Sequence, residues 1–303
     1  MLSWRSLGEL GCYATPVHVR GTRQHRRRLV SVLAAEIVGA HGTTLWIGSE
    51  QVARPLAWLP VREQRLDARP LRPGLGEQAW PGVNPFDLDS GLLADWLRIE
   101  VDSLRTWPAT RIRECLDFAR GKDMSSRVRP ATRTFASSVD WARNAGLPVP
   151  VSFAGTRRPR AVRERTTICF PAGSLTVVCG HHFDLADRIP EVVLLVLAFV
   201  SAVRAAGAAD GQRLIVIDGA WPLFSRDHQE LLANVLMAFV ERGEGRVLIA
   251  EQQSIGVPTV PAWESMFVEL SPLDASGDSC LVRLPGDREV VLRVPVPLGL
   301  ECT

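Results

Sequence analysis

Residues 213–223 read RLIVIDGAWPL. Four consecutive branched aliphatic residues, Leu214 to Ile217, run into Asp218 and are stopped by Gly219. A short apolar run closed by a turn residue reads as a strand buried on both faces, as in parallel sheets covered by helices. An acid at the carboxyl end of such a strand stands where open α/β sheets bind ligands. The flanks agree. Downstream, residues 227–242 have helical spacing and lead to an apolar strand at 247–250; upstream, a strand at 175–179 precedes an apolar helix at 191–206. Nearer the N-terminus, 15–19 is β-rich and ends at Gly21. Residues 26–38 then put Leu29, Val32, Leu33 and Ile37 on one helical face, and 43–47 reads as a second strand, completing a βαβ unit. Residues 280–284 and 290–294 predict an antiparallel hairpin turning at Pro285, Gly286 and Asp287. The fold class expected is α/β with a mainly parallel sheet and a C-terminal β-hairpin.

Between the two α/β stretches the pattern changes. Residues 55–85 are rich in proline and arginine without periodicity, 92–144 are mostly helical with Trp96, Trp107 and Trp141 as packing residues, and 156–165 form an arginine-rich linker. The expected organisation is one α/β domain over 12–90 and 166–303, a helical insertion subdomain over 91–155, and the linker at 156–165.

Composition sets the outer limits. The chain has 303 residues, 46% hydrophobic and 22% charged, with a net charge of +2, which excludes a disordered chain, a fibrous repeat or a polycation. Of 35 basic residues one is lysine, Lys122, so lysine chemistry must use it or do without. Six widely spaced cysteines predict reduced thiols, and Cys179 with His181 and His182 lacks the second pair that a zinc site needs. The N-terminus has no secretory h-region, and the longest apolar run, 192–200, is about half of a bilayer span. A cytoplasmic protein is expected, docked peripherally at the inner face of a membrane if its partners lie there.

The words around Asp218 resemble the hhhhDEAWxL signature of the conjugative transfer and type IV secretion ATPases, the TraC-like branch of the HerA/FtsK superfamily of P-loop NTPases. Other segments resemble that family in the same order. VNPFDL at 83–88 is similar to its NPFDL segment, which precedes an all-helical insertion; 173–185 is similar to its LTVFDL strand; and RGEGRVLIAEQQ at 242–253 is similar to its RKxGxGLVLATQ segment. The resemblance implies a RecA-like P-loop NTPase fold with an all-helical insertion, and it spans nearly the whole chain. It also implies that Asp218 is the magnesium-binding acid and that Gln252 matches the glutamine sensing the γ-phosphate. The family's usual N-terminal domain is expected to be missing, since the chain starts close to the first strand.

Two departures bear on chemistry. Gly219 stands where the family has the glutamate that polarises attacking water, and Glu251 replaces a threonine. The family's phosphate loop, GxxxxGK[ST], needs glycines for close backbone approach, a lysine for phosphate charge and a hydroxyl for magnesium. Its positional equivalent, 21–28, reads GTRQHRRR: Gly21 is kept, while Arg26, Arg27 and Arg28 replace the second glycine, the lysine and the hydroxyl residue. A planar guanidinium is no conservative substitute for a compact ammonium. The resemblance therefore implies a degenerate pseudo-ATPase in which ATP and Mg2+ bind weakly or not at all. Its expected partners are an active ATPase or other subunits of a transfer or secretion complex, in a homo- or hetero-oligomer.

Two other readings stand beside it. One is an active motor in which Asp218 holds magnesium and Glu251, about 5 Å away if the strands are neighbours, acts as a relocated base. The other is a nucleic-acid-binding regulatory module gripping phosphates through Arg20, Arg23, Arg26, Arg27 and Arg28 and through a second patch of Arg157, Arg158, Arg160, Arg163 and Arg165.

Overall fold

A computed structural model describes residues 1–12, 15–48, 56, 62–67, 88–100, 104–114, 116–117, 170–179, 185–186, 188–207, 212–251, 268–273, 276–286 and 288–295. The chain divides into two compact units, one formed by Met1–Pro70, Phe170–Asp187 and Gly207–Thr303 and the other by Leu71–Cys169 and Arg188–Ala206.

The first unit is built on nine strands: β1 Val17–Arg20, β2 Thr43–Gly48, β3 Arg62–Asp67, β4 Ser174–Cys179, β5 Arg213–Asp218, β6 Arg246–Glu251, β7 Val268–Pro272, β8 Ser279–Leu284 and β9 Arg288–Arg293. They form one sheet in the order β3-β4-β2-β5-β6-β1-β7-β8-β9. From β3 to β7 every pair is parallel; β8 and β9 add an antiparallel hairpin. This is the mixed, mainly parallel α/β arrangement of a RecA-like fold, with β6 inserted between β1 and β5.

Two helices enter the first unit near its N-terminus, α1 over Trp4–Glu9 and α2 over Arg23–Gly39. The core on the α2 side joins Leu29, Leu33 and Ile37 of α2 to Val17 and Val19 of β1, Leu214 and Val216 of β5, and Leu248 and Ala250 of β6. The alternate residues of β5 and β6, Ile215, Ile217, Val247 and Ile249, are buried on the other face. Helix α1 is capped by Ser3 in a capping box and docks through its tryptophan. Trp4 N donates to Glu36 Oε2 at 2.6 Å, its Nε1 donates to Leu33 O at 2.9 Å, and the Arg246 guanidinium lies 4.6 Å over its ring.

Several elements differ from the sequence expectation, the six-residue α1 among them. Helix α2 begins at Arg23, not at residue 26, because Thr22 caps it: its Oγ1 accepts from His25 N. The first turns are polar, so apolar periodicity detects the helix only from Leu29 onward. Strand β3, REQRLD, lies at the sheet edge in a stretch too polar to show a strand pattern. Strand β7, absent from the sequence reading, has an acid and a serine at alternate positions. Strand β9 starts two residues early, at Arg288.

In the second unit, α3 covers Ser90–Glu100 and α4 covers Ile189–Ala206. Asp89 caps α3, its Oδ1 accepting from Gly91 N at 2.9 Å and Leu92 N at 3.2 Å, while its own N donates to Ser201 Oγ of α4 at 3.0 Å. Trp96 is buried, and Trp107 carries the Arg111 guanidinium 5.1 Å over its ring. Trp141, Lys122 and the linker at 156–165 lie outside the described residues. Helix α4 is long and apolar enough to cross a bilayer by composition, and 72% of it is buried within the protein. A further helix, α5, spans Arg226–Glu241 in the first unit, with Ser225 as its N-cap.

Cys12 and Cys280 are free, buried thiols. Burial pushes the Cys280 thiol up from 9.0 to about 11, partly offset by a backbone hydrogen bond from Leu292. A raised folded-state value means the folded chain keeps a proton that the unfolded chain loses between these two values, so stability is lost as pH rises through that window. In denaturant titrations, stability should fall by up to about 3 kcal/mol from pH 9.0 to about 11, and Cys280→Ala should flatten that part of the profile.

Candidate functional site

The carboxyl ends of β1, β6 and β5 lie side by side, with Asp218 level with Ala250 and Arg20 level with Glu251. Gly219 N donates to Ala250 O at 2.7 Å, which ties the turn after β5 to β6. Only Gly21 and Thr22 separate β1 from α2, so six of the eight residues in GTRQHRRR are helical. Arg26 N donates to Thr22 O at 2.9 Å, as in an ordinary first turn. Gly21 has φ +136°, and a Cβ there would lie 2.9 Å from Pro272 Cδ, so glycine is required by backbone conformation and by the close approach of β7.

Arg26 points from the start of α2 to the end of β5. Its Nε donates to Asp218 Oδ1 at 2.9 Å, with both side chains 3% exposed. Nη1 of Arg26 is buried without a hydrogen-bond acceptor among the described residues. A guanidinium and a carboxylate shielded from water attract far more strongly than at the surface, and each is costly to bury alone. The pair makes Asp218 charge-balanced within the protein.

Glu251 is also buried, but elsewhere. Side chains alternate along a strand. Asp218 shares a face with Val216, Ala250 and α2, and Glu251 projects to the other face. There its Oε2 lies 3.8 Å from His18 Nε2. The same face carries a ladder of ion pairs: Arg20 Nη1 to Glu269 Oε2 at 3.3 Å, Arg283 Nη1 to Glu269 Oε2 at 3.9 Å, and Arg283 Nη2 to Glu289 Oε1 at 2.9 Å. Sequence reasoning missed His18 and Glu269 because their partners come from neighbouring strands far away in the chain.

The other expected site residues, together with Arg242 and Trp221 of the quoted segments, are dispersed. Arg28 reaches the β7–β8 connection, Nη1 donating to Ser276 O and Nη2 to Asp278 Oδ1, both at 2.8 Å. Arg27 is half-buried, and Arg23 is exposed at the first position of α2. Arg242, at the C-cap of α5, lies 3.9 Å from Glu244 and is 62% exposed. Trp221 is buried in a short 3-10 turn, edge-on to Phe224 at 5.8 Å. Gln252, Arg157, Arg158, Arg160, His181, His182 and most of the 83–88 segment lie outside the described residues. Among the described residues no group of three His, Cys, Asp or Glu side chains is placed to hold a metal ion.

Removing one partner of a buried pair strands the other charge. Arg26→Ala and Asp218→Ala should each lower unfolding stability by about 3–5 kcal/mol in urea titrations, and the double variant by clearly less than the sum. Additive losses would mean the two side chains are not coupled.

No family model matches the chain, and no curated protein matches it. Solved structures do. The chain is similar to VirB4 of Thermoanaerobacter pseudethanolicus at 10% identity, over 94% of this chain and 91% of that one, with a TM-score of 0.63. It is also similar to the bacterial conjugative coupling protein TrwBdeltaN70 in its trigonal form with sulphate, at 13% identity, over 95% of this chain and 80% of that one, with a TM-score of 0.52. At such identities the likeness is one of fold, and the fold is the RecA-like α/β arrangement.

Proposed function

We infer that this chain is a catalytically degenerate, ATPase-like subunit of a conjugative DNA-transfer or type IV secretion-like apparatus, working beside an active ATPase or other subunits of the complex. One observation carries the loss of catalysis: Arg26 holds Asp218 at 2.9 Å in a helix that starts two residues after β1. In an active P-loop site the space before the helix is a glycine-rich loop whose backbone amides face phosphate, and the strand-end acid faces magnesium. Here residues 23–28 are helical and the acid faces a guanidinium. The residues present do not fit Mg-ATP.

The setting in a transfer apparatus is supported by the motif order along the chain and by the likeness in fold to VirB4 and a conjugative coupling protein. That setting implies a cytoplasmic protein held at the inner face of the membrane by its partners. An active motor with Glu251 as base is not favoured, because Glu251 lies with His18 on the sheet face opposite Asp218. A role in DNA binding through the start of α2 is not favoured either, since Arg26 and Arg28 are committed to Asp218 and to Ser276 and Asp278.

Isothermal titration with ATP and magnesium beside a turnover assay on the same sample tests this reading. The expected result is turnover at the no-enzyme background, with binding weak or absent, and no change for Glu251→Gln. Turnover that disappears on Asp218→Ala would overturn it.

A further inference from the structure

Strand β9, REVVLR, ends the sheet: it pairs with β8, and among the described residues no strand lies on its other side. Val294 N donates to Asp278 O at 2.7 Å. In an antiparallel ladder such bonds recur at every second residue, so Leu292 and Val290 also turn their backbone groups to β8, opposite Cys280 and Val282. Glu289, Val291 and Arg293 turn theirs outward. This outer edge already takes one backbone donor, because Leu2 N donates to Arg293 O at 2.6 Å. The amides and carbonyls of Glu289 and Val291 have no such partner among the described residues.

The side chains along this edge complete a pattern. Val291 is 54% exposed, and its cross-strand neighbour Leu281 is partly buried. Glu289 is held by Arg283, whose Nε and Nη2 donate to its Oε1 at 3.0 Å and 2.9 Å. Arg288 and Arg293, at the two ends of β9, are exposed and make no ion pair among the described residues. The edge therefore presents open backbone groups and an apolar centre between two uncommitted guanidinium groups. An edge strand of this kind is a template for another chain, and the flanking charges decide which chain it accepts.

We propose that the β9 edge takes an added strand from a partner protein: an extended segment, apolar at its centre and acidic at its ends, whose backbone pairs with Glu289 and Val291 and whose carboxylates meet Arg288 and Arg293. Main-chain hydrogen bonds supply the affinity of such a strand, and charge selects it. A second copy of β9 is a poorer occupant. Pairing two copies so that Glu289 meets Arg293 needs the Arg293 carbonyl, which already accepts from Leu2. This inference goes beyond the functional reading above and does not depend on the loss of catalysis.

The test titrates the whole chain at low salt into two fluorescein-labelled peptides, Asp-Asp-Val-Thr-Val-Asp-Asp and the same sequence with lysines in place of the aspartates, with anisotropy as the readout. The acidic peptide is expected to bind about tenfold or more tightly than the basic one, and Arg288→Glu combined with Arg293→Glu should reverse that order. Val291→Pro removes an outward N–H and no ladder bond to β8, and should abolish binding. Should that variant misfold, acidic peptides N-methylated at alternate residues read the same contact on the wild type: one phase should bind and the other should not. No binding of the acidic peptide, equal binding of the two peptides, binding that survives Val291→Pro in a folded variant, or N-methylated phases that bind alike overturns the proposal. So does a wild-type dimer in sedimentation that Val291→Pro dissolves, since a second copy then holds the edge. ATP turnover plays no part in these readouts, so this proposal and the functional reading fail separately.

Discussion

A guanidinium and a carboxylate, both out of water, join the first long helix to the carboxyl end of the central strand. Arg26 reaches Asp218 because α2 starts at Arg23 and its second turn already lies beside the strand ends. Had the chain spent several more residues in a loop after β1, position 26 would have stood at the mouth of the helix. The early start and the ion pair are two expressions of one constraint. A charge buried without its partner is costly, so the pair fixes the helix start, and the helix start removes the loop. Gly21 meets the same constraint from the other side, since Pro272 of β7 leaves no room for a Cβ there.

The pleat of the sheet decides which acid sits where. Asp218 and Glu251 belong to adjacent strands, but they are offset by one residue in register, with Ala250 level with Asp218. An offset of one moves a side chain to the opposite face. Proximity in the strand order therefore does not bring the two carboxylates together. Glu251 joins His18, while Arg20, Glu269, Arg283 and Glu289 extend a ladder of charges across β1, β7, β8 and β9. The polar groups are sorted by face: the buried Arg26–Asp218 pair lies against α2, and the other side carries a network that is buried at His18 and Glu251 and exposed at Arg283 and Glu289.

Much of this architecture was legible in the sequence. The runs Leu214–Ile217 and Val247–Ala250 announced buried parallel strands, and Pro285-Gly286-Asp287 announced the hairpin. What escaped was polar or short: β3 reads REQRLD and gives no apolar alternation, α1 is six residues long, and the first turns of α2 are hydrophilic. Thr22 was the one local mark of the true helix start. At the site, Asp218 and the arginines were visible as a set, but their pairing was not, because Arg26 and Asp218 are 192 residues apart in sequence. Nothing local distinguishes Arg26, which turns inward, from Arg28, which turns to the β7–β8 connection.

On the proposed reading, the Arg26 guanidinium takes the place at Asp218 that a metal ion holds in an active site. The most direct measurement is the nitrogen-15 NMR signal of the Arg26 Nε–H, assigned through Arg26→Lys, followed during titration with magnesium and ATP. A buried, hydrogen-bonded Nε–H should give a slowly exchanging signal that stays unmoved at saturating magnesium-nucleotide. A signal that shifts or vanishes as magnesium is added would mean that the metal displaces the guanidinium, and would contradict the account.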